Sequence, residues 1–156
     1  CINIGNGIYV GAIIVVNSFG DVVDPNSSKI LAGARHPLKK HTFADTLESM
    51  KTFSGKMILK FAGKNTVIGV VATNAKLSKE EVNKVAQMAQ DGIARTIRPA
   101  HTMFDGDTLF SLSTGNKHAD VNLIGAYAAE MVAASIVSAV KHAKTIQNRI
   151  SYSDWK

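Results

Sequence analysis

Residues 63–75, GKNTVIGVVATNA, place a hydroxyl residue directly behind an asparagine where an apolar, β-branched run begins. A threonine hydroxyl in that position can attack the carbonyl carbon of the residue before it, converting the amide to an ester by an N-to-O shift. Hydrolysis of the ester then leaves Thr66 as a new chain end. Such a threonine carries nucleophile and base together: its freed α-amine, with an unperturbed pKa of about 7.7 to 8.0, accepts the hydroxyl proton near neutral pH. The plain alternative is a residue of high strand propensity at the start of a strand.

A second locus is FDGD, with Asp105 and Asp107. Two carboxylates flanking a glycine can reach one point from a tight turn and orient an amine or hydroxyl, and their repulsion would raise one of the two pKa values. Asp-Gly is equally the signature of a hairpin with solvated carboxylates. Cys1 is a third candidate, because a free α-amine beside a thiol can serve as its base; otherwise it is an ordinary buried thiol. As the single cysteine it allows no internal disulfide and no cysteine-based metal site. His36, His41, His101, His118 and His142 never fall at i, i+4 around a glutamate, and no carboxylate cluster has ligand spacing, so they read as scattered surface histidines. GNGIYVG has neither Walker nor dinucleotide spacing, and it precedes a strand where a phosphate loop would follow one.

The elements that must carry these residues can be read from periodicity. Residues 8–17, IYVGAIIVVN, are almost wholly apolar, as a strand covered on both faces would be. Gly20, Asp21, Asp24, Pro25 and Asn26 then punctuate a turn region. The polar stretch from about Arg35 to Lys56 holds one short helix, Phe43 to Thr52, and otherwise reads as a mobile loop. A strand over 66–73 follows. Ser78 opens SKEE, a capping box with Glu81 at the third helical position. Val82, Val85, Ala86, Ala89, Ile93 and Ile97 recur at helical spacing until Pro99 closes the segment. The Asp-Gly turn feeds a short strand, Thr108 to Leu112. A second long helix from Asp120 to about Ile146, apolar on most sides, should lie between layers, and the tail to Lys156 should be frayed. Strands alternating with long helices predict a single α/β layered domain over 1–156.

With 156 residues, 46% of them apolar, the chain has room for one core and one active site. Lys and Arg exceed Asp and Glu by 18 to 12, yet the basic residues are scattered and do not interleave with aromatics, so nucleic acid is not an expected partner. No signal peptide pattern opens the chain, and a cytoplasmic location is expected. The most apolar window, Leu123 to Val140, contains Glu130 and is rich in Ala and Ser, which predicts a buried helix and no membrane span. The chain enters a strand almost at once, with no initiator methionine, as a piece of a longer protein would.

NTVIGVVATNAKLSKEEVNKVAQMAQDGIARTIRPAHTMFDGDTLFSLSTG, residues 65–115, resembles the self-processing peptidase family that includes L-aminopeptidase/D-esterases, β-peptidyl aminopeptidases and endo-type nylon-oligomer hydrolases. VGAIIVVNSFGDVVDP, residues 10–25, resembles the segment that precedes the processing site in that family. The two stand in family order, so the likeness covers most of the chain after residue 8. It implies cleavage between Asn65 and Thr66, with 1–65 ending the larger subunit and 66–156 forming the smaller. Thr66 would be the N-terminal nucleophile, Asp105 and Asp107 would orient its amine and hydroxyl, and the side-chain amide of Asn17 would help hold the oxyanion. Serine serves as nucleophile in the aminopeptidase branch, so threonine favours the nylon-hydrolase branch.

The resemblance also implies a four-layer αββα sandwich of the ornithine-acetyltransferase-like type, of which this chain supplies the C-terminal part: strands of both sheets and two covering helices. The family's N-terminal half, with its glycine-rich sheet region and a lysine or tyrosine near the nucleophile, does not precede Cys1. That half becomes an expected partner, and without it apolar sheet surface is exposed and the piece tends to associate. The expected activity is hydrolysis of small peptides, amino-acid amides or oligoamides, with no metal or organic cofactor, in a homo-oligomer. The alternatives are a non-catalytic ligand-binding or assembly domain of the same fold, and an amidase with Cys1 as nucleophile.

Overall fold

A strand of β-branched residues needs at least one face covered by apolar side chains, and that requirement organises the chain around its two longest apolar runs. The computed structural model describes residues 1–52, 65–147 and 149–155. In chain order its elements are β1 (Ile2–Asn3), β2 (Tyr9–Asn17), β3 (Asp21–Val23), β4 (Ile30–Ala32), α1 (Thr46–Ser49), β5 (Thr66–Ala75), α2 (Lys79–Thr96), β6 (Ile97–Arg98), β7 (Thr108–Lys117) and α3 (Val121–His142). The principal sheet has the order β1-β2-β5-β7, and a small second sheet has the order β4-β3-β6. β2 runs antiparallel to β5, whereas β5 and β7 are parallel. A parallel pair needs a crossover. Helix α2 supplies it.

One face of the principal sheet is a core. Val10 of β2 and Val67, Val71 and Ala75 of β5 are fully buried together with Val85, Ala89 and Ile93 of α2 and Ile124, Ala128, Val132 and Ile136 of α3. Each such Val or Ile contributes about 1.5–3 kcal/mol relative to exposure. The two helices touch through glycines. A Cβ on Gly92 would lie 2.3 Å from the Ala129 carbonyl oxygen, and one on Gly125 would lie 2.3 Å from Met88 Sδ. α3 is long and apolar enough to cross a membrane by length and composition, but its Ile124–Ile136 stripe is packed in this core.

The other face of the same sheet is open. Ile13 is 80% exposed, and Val15, Ile68, Val70, Phe110 and Leu112 share that side of β2, β5 and β7. The run 8–17 is therefore covered on one face and not on both. Helices on one side of a sheet whose other side is apolar are what part of an αββα sandwich looks like, and the chain has an α/β layered fold.

Local chemistry sets the ends of the elements. Ser78 caps α2 as a full capping box: its Oγ accepts from Glu81 N–H at 3.3 Å, and Glu81 Oε2 accepts from Ser78 N–H at 2.7 Å. Ile97 leaves the helical spacing and enters β6, where it pairs with Val22. Asp120 is the N-cap of α3 rather than its first residue, and the helix stops at His142. It lies on α2 and the sheet with its remaining side exposed, so it is not sandwiched between layers.

Several expectations change. β7 continues to Lys117, five residues beyond Leu112, because it stays paired with β5. The helix expected over Phe43–Thr52 is the single turn α1, capped by Asp45. The loop around it is tied by an Arg35–Phe43 bridge, and the end of the expected mobile stretch, residues 53–56, lies outside the described residues. The tail is docked: the Trp155 ring stacks on Phe43 at 5.2 Å and lies under the Arg35 guanidinium at 4.6 Å. Asp21, which reads as turn punctuation in sequence, is 1% exposed and accepts from Thr46 N–H (2.6 Å), Thr46 Oγ1 (2.7 Å) and Ala34 N–H (3.2 Å).

Candidate active site

Antiparallel pairing places the last residue of β2 opposite the first of β5, so Asn17 faces Thr66 across the strands. Directly opposed side chains have Cβ atoms about 5 Å apart. Both lie on the open face of the sheet, with Asn17 exposed and Thr66 half-buried. Thr66 Oγ1 donates to the Asn65 carbonyl oxygen at 2.7 Å, within the peptide unit that the hydroxyl would attack.

The segment 101–107 runs alongside that peptide. Asn65 bridges Asp105 in parallel: Asn65 N–H donates to the Phe104 carbonyl at 2.9 Å, and Gly106 N–H donates to the Asn65 carbonyl at 2.8 Å. Asp105 Oδ2 accepts from Thr102 N–H and Oγ1 at 3.1 and 2.7 Å, and Oδ1 accepts from Phe19 N–H at 3.2 Å. The carboxylate thus ties the exit of β2, just after Asn17, to the turn beside Thr66. Phe19 and Phe104 add a ring contact at 5.3 Å across the same junction.

Asp107 takes a different post. Its side chain is 4% exposed, Oδ1 accepts from Val67 N–H at 3.0 Å, and Oδ2 lies 2.9 Å from His101 Nδ1. In the register that joins Asn65 to Asp105 and Ile68 to Thr108, the Val67 N–H is a ladder donor, and the Asp107 carboxylate has taken the place of a backbone acceptor. The Gly106 carbonyl accepts instead from Thr108 Oγ1 at 3.2 Å. The two carboxylates hold different partners: Asp105 ties Thr102 and Phe19 together, and Asp107 holds the Val67 amide next to Thr66. Nor is the Asp-Gly pair a hairpin with solvated carboxylates, since β5 and β7 are parallel and Asp107 is buried.

All four expected site residues, Asn17, Thr66, Asp105 and Asp107, meet at this end of the sheet. Sequence reasoning missed His101, dismissed as one of several scattered surface histidines, together with the backbone donors Phe19 and Gly106. The only available signal was proximity, because His101 stands in HTMFDGD. Cys1 is exposed rather than buried and sits against Gly11, six residues along β2 from Asn17, or about 20 Å at strand rise. Among the described residues no three His, Cys, Asp or Glu side chains gather as a ligand set. A cleft of about 430 Å³ runs from Asn17–Gly20 to the C-terminal end of α3 and reaches Tyr152; Thr66, Asp105 and Asp107 do not line it. Thr66 opens instead onto the uncovered apolar face.

The family model of peptidase family S58 matches residues 2–152. The chain belongs to peptidase family S58. This S58 chain is 47% identical over 116 residues to an uncharacterized aminopeptidase of Mycobacterium leprae, covering 73% of the chain and 31% of that relative. It is 34% identical over 171 aligned residues to an uncharacterized aminopeptidase of Mycobacterium tuberculosis, covering 96% of the chain and 48% of the relative. A 6-aminohexanoate-oligomer endohydrolase of a Kocuria species is 27% identical over 150 residues, 86% of the chain and 41% of that enzyme. The chain spans less than half the length of each of these relatives.

Proposed function

We propose that this S58 chain is the C-terminal part of a hydrolase of peptide or amide bonds that activates itself by cutting between Asn65 and Thr66. The observation that carries the reading is the Thr66 hydroxyl 2.7 Å from the carbonyl oxygen of the preceding residue, with Asn17 opposite it, Asp107 holding the Val67 amide that follows, and Asp105 tying the exit of β2 to the turn alongside. In the first step Thr66 Oγ bonds to the Asn65 carbonyl carbon. The C–N bond breaks, and the hydroxyl proton ends on the Thr66 nitrogen. Water then hydrolyses the ester, leaving a carboxylic acid at Asn65 and a free threonine N-terminus.

In turnover the Thr66 α-amine takes the hydroxyl proton as Oγ attacks a substrate carbonyl. The Asn17 amide supports the oxyanion, the amine leaves with the proton, and water releases the acyl group. The names of the relatives favour small peptides, amino-acid amides or oligoamides as substrates. The preceding part of the polypeptide covers the open face over Ile13, Val15 and Phe110 and completes the pocket, which gives that apolar surface an occupant and Thr66 a walled site. The protein works as a homo-oligomer.

Intact mass of the full-length protein tests the reading. Two fragments meeting at Asn65/Thr66 are expected, with Thr66→Ala uncut and inactive and Thr66→Ser retaining part of both activities. A single uncut chain after long incubation, or a Thr66→Ala protein that turns over substrate at the wild-type rate, refutes it. Iodoacetamide should leave activity intact, since Cys1 is about 20 Å away along the strand.

A further inference from the structure

Attack on a carbonyl puts negative charge on its oxygen, and cleavage of a chain by its own side chain therefore requires a donor already aimed at that oxygen. We propose that the donor is the backbone N–H of Gly106, so that the FDGD turn supplies a catalytic amide between its two carboxylates. The inference rests on the self-processing reading above and adds to it the group that stabilises the cleavage.

Three observations converge on Gly106. Its N–H donates to the Asn65 carbonyl at 2.8 Å, and that carbonyl belongs to the bond to be broken. A Cβ at position 106 would lie 3.2 Å from Thr66 Oγ1 and 3.7 Å from the Asn65 oxygen, so this residue faces the attacking hydroxyl and the scissile carbonyl at once. The backbone ladder is interrupted at the next donor, where Asp107 captures Val67 N–H, yet the Gly106–Asn65 bond is kept.

A hydrogen bond present before the reaction accelerates it only if it strengthens along the way. This one does: the acceptor changes from a neutral carbonyl to an oxyanion, and bonds to ionised acceptors are roughly twice as strong. The turn that carries the amide is fixed. Asp105 N–H donates to the Thr102 carbonyl at 3.0 Å, and the Asp105 carboxylate is held by Thr102 and Phe19, so the donor need not reorganise as charge develops. Asp105 is thereby a positioning residue for the amide that follows it.

The test replaces one atom. Cell-free translation of the full-length precursor with glycolic acid at position 106 exchanges the N–H for an ester oxygen and adds no side chain. Phenyllactic acid at position 104 is the control, because Phe104 N–H donates within the same turn, to Thr102 Oγ1, and not to the scissile carbonyl. Fragment formation followed by intact mass should slow about 10²- to 10³-fold for the 106 ester and stay within about fivefold of wild type for the 104 ester. A 106 ester that cuts within about threefold of wild type, or no more slowly than the 104 ester, overturns the proposal. If wild type never cuts, or Thr66→Ala cuts, the self-processing reading itself has failed; if both behave as expected, a normal 106 ester removes only this inference. Should the 106 ester chain lack protease resistance, deuterium exchange of the Gly106 amide in uncut Thr66→Ala decides. Protection there supports the donor role, and exchange at the rate of a free loop overturns it.

Discussion

Asp107→Asn keeps the shape of the side chain and removes its charge, which isolates what the carboxylate contributes beside Thr66. Asp107 makes two bonds, to Val67 N–H at 3.0 Å and to His101 Nδ1 at 2.9 Å, and with 4% of the Asp107 side chain exposed the bond to the Val67 amide is little weakened by solvent. A hydrogen bond to a charged acceptor contributes about 1.5–3 kcal/mol and a neutral one about 0.5–1.5 kcal/mol. The asparagine can still accept from Val67, so the difference at the strand end is about 1–2 kcal/mol. If that difference is expressed in the geometry of the attacking threonine, self-cleavage slows by about 5- to 30-fold. The assay is a time course of fragment formation at Asn65/Thr66 by intact mass, with urea midpoints measured on the uncut Thr66→Ala background. His101→Gln probes the outer bond. His101 is 40% exposed, so its contribution is screened and the slowing should stay below about fivefold. An Asp107→Asn precursor that cuts within about twofold of wild type would refute the claim that this carboxylate holds the Thr66 end of β5 in place.

Two further outcomes test the scaffold. Asp21→Ala leaves Thr46 N–H, Thr46 Oγ1 and Ala34 N–H without their buried acceptor, and should cost about 1–3 kcal/mol for each buried donor left unsatisfied in chemical denaturation; a loss under about 1 kcal/mol in all would show that the acceptor is dispensable. Gly92→Ala places a methyl 2.3 Å from the Ala129 carbonyl oxygen and should destabilise by about 1–3 kcal/mol despite the higher helix propensity of alanine, and a more stable variant would mean that α2 and α3 slide apart freely.

Local chemistry was legible because it acts between near neighbours. Ser78 and Glu81 lie three residues apart, and a helix brings such residues together whatever surrounds it, so the capping box formed as its spacing required. The stripe Val85, Ala89, Ile93 announced a covered face for the same reason. Thr66 behind Asn65 is a statement about one peptide unit, and the hydroxyl donates to the Asn65 carbonyl oxygen at 2.7 Å. The role of Asn17 came from the family resemblance, and its place opposite Thr66 from strand register.

Other features depended on partners far away in the chain. The apolar run 8–17 carries Ile and Val on both sides, and only the packing of α2 and α3 decided that Val10 is buried while Ile13 is 80% exposed. Trp155 docks the tail because Arg35 and Phe43 come to meet it. His101 became distinct from the other histidines when Asp107 turned inward to Val67, and Gly106 acquired an amide aimed at Asn65 through a parallel register between residues forty positions apart. Composition and spacing determined which groups could react; the alignment of two distant strands decided which of them touch, because a hydrogen bond acts over about 3 Å and the chain path between its partners is far longer.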